Sequence, residues 1–220
     1  MSLDLAALLC SRVCHDVISP VGAIVNGLEV LEAEDDEEMR KIAMDLIKKS
    51  ALSASARLQF SRLAFGASGS RGAAIDTADA ENVTRGLIDN DRTSLRWNGP
   101  PRLAPKNVVK LVLNLCLVAA SAAPRGGVIR VELDGEGDET AIRVEARGPG
   151  AKLPHGASDI FSGRPLETVD AHTIQPYYTA LLAKECGMRL DAALAPESVT
   201  LSALPRAPAD SAPGPEAVVL

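Results

Sequence analysis

Between Leu3 and Ala33 the sequence LDLAALLCSRVCHDVISPVGAIVNGLEVLEA carries two neighbouring apolar rows at helical spacing. Leu5, Leu9, Val13, Val17, Val21, Ile24, Leu28 and Leu31 recur at steps of three and four. Cys14, Ile18, Val21 and Val25 form a second row beside the first. Together they make a face wider than one partner helix covers, as a four-helix bundle requires. The acidic run EAEDDEE, residues 32–38, reads as a solvated turn, and its last acids suit the N-terminus of a following helix. That second helix is expected over residues 37–65, with a stripe of Met39, Ile42, Leu46, Ala54, Leu58 and Phe65 filled in by Ala43, Ile47 and Ala51. Two long helices and a short turn make a hairpin. One hairpin leaves two wide stripes in water, so a homodimer that completes a four-helix bundle is expected.

The texture then changes. GASGSRGAA, residues 66–74, reads as a linker. A helix is expected over 77–90, capped by Thr77 or Asp79, then a short strand in SLRWNG and a loop in PPRLAP. Lys106–Ala122 reads as a helix with Val109, Val112, Leu113, Cys116 and Leu117 on one face, stopped by PRGG. VIRVELDG and AIRVEAR alternate apolar and polar residues and predict an antiparallel pair. PYYTALLAKECG predicts another helix, and MRLDAALAPESVTLSALP two further strands. The fold class expected is α+β: a helical hairpin over residues 1–68, then helices on one face of a mainly antiparallel sheet over 75–205. The Pro- and Ala-rich tail, 206–220, is expected to be disordered.

The net charge of −6 and the lack of a basic block argue against a nucleic-acid partner. No run of 18 apolar residues predicts a membrane span, and no leader is recognisable at the N-terminus. Cys10, Cys14, Cys116 and Cys186 form no CxxC pair and read as reduced thiols of a cytoplasmic protein. Cys10 and Cys14 lie close to His15, but zinc sites use other ligand spacings.

His15 is one of three histidines in 220 residues. At about 100° per residue it points away from the row of Val13 and Val17. Its own face is Ser11, His15, Ser19, Gly22 and Asn26, all small or polar. Pro20 removes one backbone hydrogen bond and is expected to bend the helix here. A plain surface histidine on a kinked helix would satisfy this spacing. So would a phosphoryl acceptor: neutral imidazole is nucleophilic near pH 7, and Asp16 can hydrogen-bond one ring nitrogen and leave the other free. His155 and His172 lack such a helical face, and RGPG reads as a turn.

HDVISP resembles the phospho-acceptor box of sensor histidine kinases, and the hairpin resembles their dimerisation and phosphotransfer domain. LNLCLVAASAAPRGGVIRV resembles the asparagine box of the kinase ATP-binding domain, and IRVEARGPGAKLP its first glycine box. By that resemblance Val118 falls at the magnesium-binding asparagine, Ser121 at a frequent lysine and Ala146 at the adenine-reading aspartate, while Asn114 matches an upstream asparagine that is not a ligand. VDAHTIQPYY, where the second glycine box should stand, has no glycine. Valine and alanine neither coordinate magnesium nor accept a hydrogen bond.

An acceptor histidine without the ATP machinery resembles the dimeric histidine phosphotransferases of alphaproteobacterial cell-cycle phosphorelays, the ChpT family; CHDVISPVGAI and LQFSRLAFGAS carry the likeness. The resemblance implies a phosphoryl group taken from the receiver domain of a hybrid histidine kinase onto His15, then passed to CtrA-like and CpdR-like response regulators. It implies no cofactor bound by this chain, the magnesium being supplied by the receiver. His15 is the expected catalytic acceptor and Asp16 its orienting group, with Ser11, Arg12, Ser19, Gly22 and Asn26 as the partner-binding surface. An active kinase and a scaffold that merely keeps the fold are the competing readings.

Overall fold

The computed structural model describes residues 3–33, 35–66, 74–135, 137–164, 166 and 168–206. Most of the expected linker and all but one residue of the expected tail lie outside these. Two long helices come first, α1 (Leu3–Ala33) and α2 (Glu37–Phe65). Asp36 caps α2 by accepting from the Glu38 amide at 2.8 Å, and Glu37 and Glu38 complement the helix dipole. Arg40 donates to the Leu31 carbonyl, which ties the start of α2 to the end of α1. Further along, a Cβ on the buried Gly27 would lie 2.6 Å from Ile47 Cγ1, so glycine is what lets the helices approach.

By length and composition α1 could cross a membrane, although polar residues interrupt its apolar run. The helix runs unbroken through Pro20. Proline has no N–H to give to the carbonyl one turn back, which is that of Asp16.

The second half holds β1 (Ala74–Asp76), α3 (Thr77–Ile88), β2 (Thr93–Asn98), β3 (Leu103–Pro105), α4 (Lys106–Ala122), β4 (Gly127–Asp134), β5 (Ala141–Arg147), α5 (Ala157–Phe161), α6 (Ile174–Glu185), β6 (Met188–Ala195) and β7 (Ser198–Pro205). The main sheet runs β2-β4-β5-β7-β6. Its β2–β4 pair is parallel and the rest antiparallel. The sheet is thus mixed, with α4 in the crossover from β2 to β4.

Four expectations need correction. PPRLAP is not all loop: β3 pairs antiparallel with β1, which begins inside the expected linker. The cap of α3 is neither Thr77 nor Asp79 but Asp76, which accepts from the Ala78 amide at 2.9 Å. Thr77 is buried, and its hydroxyl accepts from the Arg102 amide at 3.0 Å instead. The helix expected from PYYTALLAKECG begins earlier, at Ile174, ahead of Pro176. Finally, α4 is buried on nearly all sides and not on one face, because α2, α6 and the sheet surround it.

The core forms two clusters, and both include the hairpin. Leu5 and Leu9 of α1 join Ile88, Leu111, Val144, Ile174 and Leu201 in the larger one. Phe60 and Ala64 of α2 join Ala80, Ala104, Val109 and Leu113 in the other. Burying a leucine contributes about 2 kcal/mol, so Leu5 and Leu9 fix the root of α1 to the sheet layer.

Candidate functional site

His15 stands near the middle of α1, and its side chain is 89% exposed. Nδ1 lies 3.5 Å from Asp16 Oδ1, just beyond a good hydrogen bond, and the Asp16 side chain is 34% exposed. Ser11, Ser19, Gly22 and Asn26 are all exposed beside it. A Cβ at Gly22 would meet nothing within 4 Å, so the surface there is open. Arg12 is only half exposed, and together with Asp16 it lines a cleft toward the sheet layer. The sequence face therefore divides. His15 and the small residues look outward, while Arg12 and Asp16 form a wall at their side.

On the other flank lies an apolar groove of Val13, Cys14, Val17, Ile18, Val21 and Leu58, with Gly22 at its margin. Ile18, Val21, Val25 and Leu28 remain exposed on α1, and Ile42, Leu46 and Leu58 on α2. Among the described residues no three His, Cys, Asp or Glu side chains stand together as metal ligands. Cys10 and Cys14 are exposed, and a hydrogen bond of the Cys14 thiol to Cys10 pushes that thiol up.

Val118 and Ala146, which the sequence resemblance sets at nucleotide positions, are interior. Val118 on α4 is 1% exposed and Ala146 on β5 is 0% exposed, both in the larger core cluster with Phe161 and Ile174. Asp170 organises the stretch expected to carry a glycine loop, accepting from the Thr173 amide and hydroxyl at 2.9 and 2.8 Å and from the His172 amide at 2.9 Å. The Thr173 and His172 hydrogen bonds hold its carboxyl below the usual carboxylate value. His155 and His172 are exposed, and Ser121 sits exposed near the end of α4.

Sequence reasoning missed what Asn114 does. Its side-chain amide donates to the Lys110 carbonyl at 2.8 Å and the Ala64 carbonyl at 3.2 Å, and its Oδ1 accepts from Gln175 at 2.8 Å. Asn114 thus pins the end of α2 to α4 and α6. Nothing in local periodicity marks such a role, since the partners on α2 and α6 are 50 and 61 residues away.

The family model described as the histidine phosphotransferase C-terminal domain matches residues 77–198. The chain belongs to that family. It is 49% identical over 203 residues to protein phosphotransferase ChpT of Brucella abortus (strain 2308), covering 92% of this chain and 96% of the relative. A solved bacterial phosphotransferase is 46% identical with a TM-score of 0.84, covering 92% of this chain and 97% of that one. The sequence resemblance to the ChpT family therefore holds across hairpin and sheet layer alike, and histidine phosphotransfer is the chemistry of this fold.

Proposed function

We propose that this phosphotransferase relays a phosphoryl group through His15. The receiver aspartate of a hybrid histidine kinase carries it as an acyl phosphate. Attack by the free imidazole nitrogen forms a P–N bond as the P–O bond to the carboxylate breaks. The carboxylate departs, and the steps reverse onto the aspartate of a CtrA-like or CpdR-like response regulator. Asp16 orients the ring from the Nδ1 side, which leaves Nε2 to attack. The receiver's magnesium neutralises phosphate charge, so this chain's task is positioning. No ATP is bound at Val118 and Ala146, because the apolar interior already fills that space. The protein works in the cytoplasm as a homodimer whose apolar faces on α1 and α2 close a four-helix bundle.

The observation that carries this reading is the 89% exposed His15 with the Asp16 carboxylate beside it. Incubation with a phosphorylated receiver domain tests it. Acid-labile, base-stable label should appear on this chain and vanish in His15→Ala. Label that stays on the receiver sinks the reading.

A further inference from the structure

Beside the acceptor helix a cleft of about 420 Å³ opens between the hairpin and the sheet layer. This lies within the usual size of small-molecule sites, ~300–1,000 Å³. Three elements each bring an arginine to its lining: Arg12 of α1, Arg57 of α2 and Arg92 of the turn before β2. Arg85, Arg130, Arg147 and Arg164 are held in ion pairs, and none of these lines the cleft. Among the described residues Arg57 donates to the Ser53 hydroxyl, at 3.4 Å, and to no acid. The Nε of Arg12 is shut off from solvent with no hydrogen-bond partner, an unmet donor of a kind that native interiors rarely leave. Asp16 is the only acid in the lining among the described residues. Phe65, Leu87 and Leu117 supply an apolar side, and Ser61, Asn90 and Ser121 neutral polar groups.

We infer that this cleft binds a small organic phosphate of about mononucleotide size. Arginine forks match phosphate oxygens in pairs, and three unpaired forks around one cavity favour a dianion over a single carboxylate. The apolar side takes the flat body. The cleft touches the kinase-like nucleotide position only at its margin: Ser121 lines it, whereas Val118 and Ala146 do not. It also stands whether or not His15 accepts phosphate. A ligand here would bear directly on Arg12 and Asp16, and so on the setting of His15.

Calorimetry at 150 mM salt without magnesium tests this, with guanosine monophosphate and inorganic pyrophosphate as probes. Guanosine monophosphate should bind saturably and more tightly than pyrophosphate. Affinity should fall at least ~10-fold in Arg57→Ala and Arg92→Ala and persist in His15→Ala. Arg92→Lys, which keeps the charge and loses the fork, should also weaken binding while its circular dichroism stays unchanged. Failure of both probes to saturate up to millimolar concentration, or equal affinity in the arginine variants, overturns the site. An oligo-aspartate peptide binding as tightly as guanosine monophosphate, with the same arginine dependence, also overturns it and assigns the cleft to an acidic protein segment.

Discussion

His15 Nδ1 and Asp16 Oδ1 lie 3.5 Å apart although the two residues are neighbours in the chain and their helical directions diverge by about 100°. The aspartate leans toward the ring from the cleft side and leaves the outward side open. If this contact orients the imidazole, Asp16→Asn slows phosphoryl transfer more than it weakens receiver binding. A loss of at least ~10-fold in rate with affinity changed less than ~3-fold is expected, at the low end of positioned acid–base effects. Rapid-quench kinetics separate the two quantities, and equal losses in both would make Asp16 a docking residue. His15→Ala should retain the helical circular dichroism of the parent and accept no label.

Gly22 faces open space. Gly22→Leu should therefore keep or raise the melting temperature, since leucine is a better helix former by up to about 1 kcal/mol. It should reduce receiver affinity and transfer together, because the new side chain stands two turns from His15 on the approach side. The dimer should persist. Unchanged transfer would place the receiver elsewhere.

Ile18 is 68% exposed at the centre of the apolar groove. Burying it in a bundle contributes about 2 kcal/mol, and a carboxylate there would cost more than is lost. Ile18→Glu should be a monomer at micromolar concentration by light scattering while the parent is a dimer. Equal masses for the two proteins would remove the bundle interface from α1.

Restoring kinase-like residues should not restore kinase chemistry. Val118→Asn places an amide in an apolar interior and should cost about 2 kcal/mol in chemical denaturation. Neither the parent nor this variant should acquire label from γ-labelled ATP with magnesium. Label on the parent's His15 would revive the kinase reading.

Burial pushes the Cys116 thiol up to about 12, so it remains protonated until the pH rises to that range. The thiolate is the nucleophile. Iodoacetamide at pH 8 should alkylate the exposed Cys10 and spare Cys116 until the protein is denatured, as read by peptide mass spectrometry.

The long elements were legible because their signal repeats. Apolar spacing placed α1, α2 and α4 nearly to the residue, and strict alternation paired β4 with β5. The three-residue strands β1 and β3 are too short to show alternation, and they exist because they pair with each other across α3 and β2, Ala74 with Pro105 at one end and Asp76 with Leu103 at the other. The outward face of His15 could be read from helical angle alone. The cleft beside it could not, since Arg57 and Arg92 come from other elements and meet Arg12 only through packing.

Leu5 and Leu9 at one root of the hairpin, and Phe60 and Ala64 at the other, are embedded in the sheet layer's two core clusters. Losing the sheet layer would strand those four side chains in water and loosen the helix that presents His15. The sheet layer thus acts as the footing of the acceptor helix, and the stiffness of its two clusters is delivered to a histidine on another element.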